Sequence, residues 1–315
     1  MLHCDKDARS REAIQGESMA ENRTMGQPVA KSPIHATVIV PAHNEAKQIE
    51  ASMRSIQNAC DHALSALGYD LAVVVVCNAC SDDTAARAAQ AAPDATIVET
   101  RTRGKTAAIN LAISIAPPGP IVVVDADVTL EPNLLGAVLA ALTTEDALAA
   151  SPTARFVLTG ASLPVRAYFR TFAKHPYLAS GVGGSGVYAL SAAGRERLDT
   201  FPTIAADDEY VRNLFPLESQ RRISRDSEGQ PVAVEVRPPE TLLGLLRAEI
   251  RSRNGDRVVR HLCAARANVA QPWASAALRA APLEFAIFIA VKLTARLLMP
   301  LSRSGRADGW ATHRQ

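Results

Sequence analysis

Two aspartates separated by one residue, Asp125 and Asp127, close the stretch "PIVVVDADVTLEP" (120–132), directly after a run of valines. In an extended chain, residues two apart point the same way, so both carboxylates are expected at one spot on the lip of a sheet. Two like charges that close raise each other's pKa unless a cation joins them. A hard divalent ion, Mn2+ or Mg2+, with oxygen ligands and room for substrate phosphates would do so. A solvated turn, in which aspartate bonds the backbone, accounts for the same residues, and the motif alone does not choose. Other polar residues fall in comparable places. "VIVPAHNE" (38–45) runs from Pro41 to Asn44 and Glu45, "VVVVCNACSDDT" (73–84) carries Asn78, Asp82 and Asp83, and "TRGKTAAIN" (102–110) delivers Gly104 and Lys105. A purely structural sheet does not need four strand ends of this kind. Lys105 suits either a phosphate or a surface ion pair.

The elements that would position these residues are legible in the pattern between 36 and 124. "ATVIV" (36–40), "LAVVVV" (71–76), "ATIVE" (95–99) and "IVVV" (121–124) are short and β-branched, as buried strands are. Between the first two, Ile49, Met53, Ile56, Cys60, Ala63 and Leu67 recur at threes and fours, which is one face of a helix. "SDDTAARAAQAA" (81–92) reads as a second helix, with Ser81 as N-cap and Asp82 and Asp83 in the first turn. "GKTAAINLAISIA" supplies a third. Strand–helix repetition predicts an α/β fold, a mostly parallel sheet flanked by helices. Ligands bind such sheets beyond the carboxyl ends of the strands. After residue 150 the pattern loosens. "GVGGSGVYAL" (181–190) passes from a glycine loop into a strand, "DDEYVRNLF" (207–215) is helical, and "VAVEVRP" (232–238) is a strand. From 241 onward the chain turns helical and basic.

Hydrophobic residues at 48% and charged residues at 21% suit a globular chain with an ample core and exclude global disorder. A formal charge of +2 carries no footprint of a nucleic-acid binder. Five cysteines without framework spacing read as reduced thiols in a cytoplasmic setting. Residues 1–35 have no apolar period and no apolar run of signal-peptide length, so a disordered tail is expected there, with a second loose tail at 302–315.

Taken together, "VIVPAHNE", "NACSDDT", "GKTAAIN", "DAD" and the paired acid of "ADDEY" (206–210) resemble the inverting family 2 glycosyltransferases of the GT-A fold. The resemblance covers about residues 36–215. It implies a nucleoside-diphosphate sugar, a UDP-sugar above others, held at the first two strand ends by Pro41, Asn44, Glu45, Asn78 and Asp82, with Gly104, Lys105 and Asp125 alongside. Asp125 and Asp127 would carry the divalent ion on the diphosphate. Inversion requires a base for the acceptor hydroxyl; the family's paired-acid position gives Asp208 or Asp207, with Asp208 preferred and Glu209 weaker. The same acids also read as helix-capping residues ahead of "EYVRNLF". Ser185 and Gly186 would shape the acceptor side. Two departures matter. Cys77-Asn78 stands where members often have Asp-Asp, and the Gln-x-x-Arg-Trp motif of processive members is absent, which favours single addition.

Gly181, Gly183 and Gly186 spell Gly-x-Gly-x-x-Gly, but a dinucleotide fingerprint opens a helix and this one leads into a strand. Cys77-x-x-Cys80 has no second pair to complete a zinc site, and two buried or half-buried thiols are expected. Residues 283–301, "LEFAIFIAVKLTARLLMPL", could lie on a membrane, pack on the domain or span a bilayer. Glu284, Lys292 and Arg296 on one third of the wheel favour the first. The domain expectation is a transferase domain at 36–240 and a helical extension at 241–301, in a cytoplasmic protein, peripheral at the inner face of the membrane, acting on a glycan or lipid-linked acceptor. The alternatives are a sugar-phosphate nucleotidyltransferase and a non-enzymatic, membrane-docked binding module.

Overall fold

The computed structural model describes residues 34–263 and 273–299. The tails expected at 1–35 and 302–315 lie outside these residues, except that Ile34 and His35 open the first strand. The chain begins with β1 (Ile34–Ala42), α1 (Ile49–Leu67), β2 (Tyr69–Asn78), α2 (Thr84–Ala91), β3 (Thr96–Thr100), α3 (Lys105–Ile115) and β4 (Ile121–Val124). It continues through α4 (Leu134–Ala140), β5 (Ala149–Phe156), α5 (Leu163–Phe172), α6 (Pro176–Ala179), β6 (Val187–Leu190), α7 (Ala192–Leu198) and α8 (Asp207–Leu214). Two short strands, β7 (Gln220–Ile223) and β8 (Ala233–Val236), precede the C-terminal helices α9 (Leu242–Leu262), α10 (Trp273–Ala280) and α11 (Pro282–Leu298).

The strands form one sheet in the order β3-β2-β1-β4-β6-β5-β7, with β8 on β5. All pairings are parallel except those of β6, which runs against both β4 and β5. The valine runs are continuous because the sheet is covered on both faces. Side chains still alternate. Val38, Val40, Val122 and Val124 face one core with Ile49, Met53 and Leu134, whereas Ile39, Ile121 and Val123 face another with Ile109, Tyr188 and Phe201. Each such aliphatic side chain, fully buried, contributes about 1.5–3 kcal/mol. The strands β5 and β7 lack this signature; "ASPTAR" and "QRRI" are polar, and pairing with β6 and with each other makes them strands.

The C-terminal helices pack on α5. Val165, Tyr168, Leu245, Phe288 and Val291 make a third core there. Glu249 of α9 is buried in it, accepting from the Tyr168 hydroxyl at 2.8 Å and pairing with Lys292 Nζ at 2.7 Å and Arg253 Nε at 3.0 Å. Glu284 pairs with Arg170 at 3.1 Å. Two of the three charges expected to face a membrane are thus used inside the fold, and α11 packs on the domain through Phe288, Val291 and Ala295. Among the described residues, no helix is long and apolar enough to cross a membrane. Removing one partner of a buried ion pair strands the other. The substitution Glu249→Ala is expected to lower stability by about 3–5 kcal/mol, read as the midpoint of urea or thermal unfolding.

Candidate active site

One helix organises the site. Lys105 is the first residue of α3, and its ammonium lies 2.6 Å from Asp125 Oδ1 and 2.8 Å from Asp207 Oδ1. It is nearly buried, so the surface pair considered above is an internal bridge between the Asp-x-Asp turn and the paired acids. Burial works against the charged lysine, but Asp125, Asp207 and Asp208 outweigh it and hold its proton well above the ordinary lysine range. The same helix straps the segment that leads to those acids. Asn110 exchanges two hydrogen bonds of 2.9 Å with the backbone of Phe201, and Thr106 Oγ1 donates to the Ile204 carbonyl and accepts from its N–H. At the far end of α3 the Arg195 guanidinium donates to the carbonyls of Ile113 and Ala116, which a helix C-terminus leaves unpaired.

Asp125 and Asp127 do not extend the strand. β4 ends at Val124, and the Val128 N–H bonds back to the Asp125 carbonyl at 3.0 Å, closing a turn. The extended-chain premise is therefore corrected: a tight turn, with Ala126 buried beneath it, brings the two acids to the sheet's rim. Asp125 has its pKa pushed up to about 6 by burial and by the charges of Asp207 and Asp127, with Lys105 opposing. At neutral pH it remains a carboxylate. Gly186, in a left-handed conformation, presses on this turn; a Cβ there would lie 2.9 Å from Val128 Cγ2 and 3.3 Å from Asp125 Oδ2. It therefore borders the Asp-x-Asp turn and leaves the flank of Asp125 Oδ2 open, rather than lining the acceptor side alone.

The first two strand ends are tied to each other. Pro41 is buried in β1, and Asn44, left-handed at φ 55°, accepts at Oδ1 from the Ser81 N–H at 2.7 Å. The Glu45 N–H donates to Thr84 Oγ1 at 2.8 Å, and the Ala46 N–H donates to Asp82 Oδ2 at 3.2 Å. Asp82 also accepts from the Thr84 N–H at 3.1 Å, so it takes the cap-like role expected of Ser81, and α2 starts only at Thr84. Asn78 differs from expectation. It is fully buried, its amide donates to the carbonyls of Thr102 and Gly104, and its oxygen accepts from the Gly104 N–H. Its side chain fixes the loop before Lys105.

The paired acids divide in role. Asp207 is buried between Lys105 and the Tyr188 hydroxyl, which donates to its Oδ2 at 3.0 Å. Asp208 is half-buried and accepts from the Gly184 N–H at 3.2 Å and the Glu209 N–H at 2.8 Å. Burial, with the charge of Asp256 on α9, pushes Glu209 up to about 7 against a hydrogen bond from Asn213. The glycine loop 181–186 runs from Asp125 to Asp208. A Cβ on Gly183, at φ 120°, would collide with the Tyr177 hydroxyl and sit 3.5 Å from Asp208 Oδ2. Ser185 has its hydroxyl buried against Ser151 Oγ and the Val187 carbonyl.

Residues 37–185 match the family model described as glycosyl transferase family 2. The chain carries a family 2 glycosyltransferase domain. No curated protein sequence matches the chain. Among solved structures, glucosyl-3-phosphoglycerate synthase from Mycobacterium tuberculosis with phosphoglyceric acid aligns at TM-score 0.50 and 18% identity, over 75% of this chain and 82% of that one. The same enzyme with Mn2+, UDP and phosphoglyceric acid aligns at TM-score 0.50 and 17% identity, over 75% and 80%. At such identity the likeness is one of fold, and the transferase domain has the GT-A architecture.

Within this domain the sequence patterns missed the loop's fasteners. Arg212 donates to the carbonyls of Ser180 at 2.6 Å and Val182 at 2.9 Å and lies 4.5 Å over the Tyr177 ring. Arg222, pulled down to about 10 by burial, donates to the Gly183 carbonyl at 2.8 Å. Tyr188 carried a weak signal, as the one polar-tipped residue of "VYAL"; the arginines carried none. Among the described residues no group of three or more His, Cys, Asp or Glu side chains forms a metal cage. Two hard carboxylates beside an open flank fit an ion that keeps waters and shares substrate phosphates.

Replacing Lys105 with Met should cost the domain about 3–5 kcal/mol at pH 8 by leaving Asp207 buried without its cation. The loss should be smaller at pH 5, because Asp125, pushed up by burial and no longer opposed by Lys105, takes up a proton in the folded state, and stability then falls as pH rises. Thermal unfolding at the two pH values reads this, and Lys105→Met with Asp207→Asn should recover part of the loss.

Proposed function

We propose that the domain transfers a sugar from a nucleoside-diphosphate donor, a UDP-sugar above others, to an acceptor hydroxyl with inversion and by single addition. The observation that carries the reading is the Lys105 bridge, which sets the Asp-x-Asp turn beside the paired acids. Asn44, Glu45 and Asp82 shape the nucleotide side, Pro41 and Asn78 support it from below, and Gly104 and Lys105 lead to the diphosphate. Asp125 and Asp127 would hold Mn2+ or Mg2+, which when bound stabilises the leaving diphosphate as a Lewis acid. The M. tuberculosis enzyme, solved with Mn2+ and UDP, supports this assignment by analogy of fold.

Asp208 is the base. It is half-buried, oriented by two backbone N–H groups and not neutralised by a buried partner as Asp207 is. Asp207 keeps Lys105 and Tyr188 in place. The acceptor is a glycan or lipid-linked hydroxyl, entering past the glycine loop and Gly186. The substitution Asp208→Asn should abolish transfer, by at least about a hundredfold, while leaving UDP affinity with Mn2+ unchanged. Near-wild-type turnover would remove Asp208 from the mechanism. Metal-dependent UDP binding by calorimetry supports transfer, a preference for nucleoside triphosphates would support the nucleotidyl alternative, and no nucleotide binding would leave a binding module.

In this reading a membrane-borne acceptor is met at the inner face of the cell membrane. The face of α11 opposite its packed one exposes Leu283 (73%), Leu293 (55%) and Leu297 (76%), with Arg296 beside them. An apolar stripe beside a cationic side chain suits an anionic lipid surface. The chain should co-sediment with vesicles containing phosphatidylglycerol at low salt, and Leu293→Glu with Leu297→Glu should abolish this. Wild-type protein left in the supernatant would refute the membrane contact.

A further inference from the structure

The "CNAC" segment at the end of β2 holds two thiols that the proposed chemistry does not use. Cys77 is buried on the sheet, and Cys80 is half-buried beyond the turn. Between them Ala79 takes the left-handed conformation, φ 48°, and its N–H bonds to the Thr100 carbonyl. That conformation is unfavourable for a residue with a Cβ. It turns the chain so that Cys80 packs against the same core cluster that holds Cys77.

The same sulfur seats the donor loop. The Asn44 N–H points at Cys80 Sγ at 3.4 Å, and Cys80 Sγ lies 3.6 Å from the Ala42 carbonyl. Asn44, itself left-handed, in turn holds Ser81 through its side-chain oxygen. Moving Cys80 Sγ therefore disturbs both strand-end loops at once. We propose that Cys77 and Cys80 are an oxidation site, a dithiol closed to a disulfide by hydroperoxides, and that closure weakens nucleotide binding by withdrawing the sulfur from Asn44.

The step balances with hydrogen peroxide as oxidant. The Cys80 thiolate attacks one peroxide oxygen; the S–O bond forms, the O–O bond breaks, and hydroxide leaves as water after taking a proton from solvent. Cys77 sulfur then attacks Cys80 sulfur. The S–S bond forms, the S–O bond breaks, and the hydroxyl departs as water with the Cys77 proton. Two thiols lose two electrons and the peroxide gains them. Cys80 is suited to attack first. It is half-buried where Cys77 is buried, and its neighbour Cys77 and the Asn44 N–H at its sulfur pull its pKa down against that partial burial.

The thiol chemistry stands apart from the donor assignment, whereas its effect on nucleotide rests on the proposed function. The full chain, reduced and then treated with hydrogen peroxide, should yield a peptide containing residues 77–80 that is lighter by the two hydrogens lost in an intramolecular disulfide and is restored by dithiothreitol. Amide exchange at Asn44 should accelerate on oxidation and return on reduction. UDP affinity in Mn2+ should fall about tenfold, the loss of roughly one hydrogen bond to the loop. Cys77→Ala should form no disulfide and should instead hold peroxide oxygen on Cys80, read as a gain of one oxygen in the 77–80 peptide. Absence of the disulfide in wild-type protein, or a disulfide with unchanged Asn44 exchange, would overturn the proposal. Reduced protein that shows the disulfide chemistry and the exchange change but binds no UDP would overturn the donor assignment and the claimed effect on it, leaving the oxidation site standing.

Discussion

A single ammonium between two carboxylates governs the geometry of the rim. Lys105 reaches Asp125 on one side and Asp207 on the other, and each of those acids comes from a different part of the chain. Two negative groups close together would repel; one buried cation converts that repulsion into a joint. The remaining contacts follow from it. Tyr188 completes the coordination of Asp207, Thr106 and Asn110 fasten the approach to it, and Asn78 fixes the loop from which Lys105 emerges. Because Asp207 is consumed by this joint, its neighbour Asp208 is the acid left facing the glycine loop.

Much of this was legible in residue types, and the limits have physical causes. The four valine-rich strands and the three helices between them announce themselves because burial on both faces of a parallel sheet demands continuous apolar runs. The strands β5 and β7 do not, since "ASPTAR" and "QRRI" gain strand geometry from neighbours rather than from their own composition. Within the site, charge and spacing drew attention to Asp125, Asp127, Asp207, Asp208 and Lys105, but not to their division of labour. A pattern cannot tell an acid that bonds a buried lysine from one that does not. Asn78 and Ser185 are polar types at suggestive positions whose side chains are turned into the fold to satisfy backbone or hydroxyl partners, which the pattern did not reveal.

Arg212, Arg222 and Arg195 illustrate what no local pattern carries. Each reaches across the fold to backbone carbonyls left unpaired by a loop or a helix end. The guanidinium's five donors allow it to close several such gaps together. The glycine loop can therefore lack regular structure and still be held along its length, with Gln220 taking the Val182 N–H at 2.9 Å.

The approach of α9 to the paired acids has a structural corollary. At Gly255 the helix backbone comes so near that a Cβ would sit 2.9 Å from Ala206 Cβ, one residue before Asp207. The C-terminal helices are thus a brace against the hinge of the acidic pair, not an appendage hung from a finished domain. A glycine at 255 therefore sets how closely the last helices approach the start of α8, and a larger side chain there would have to push the two apart.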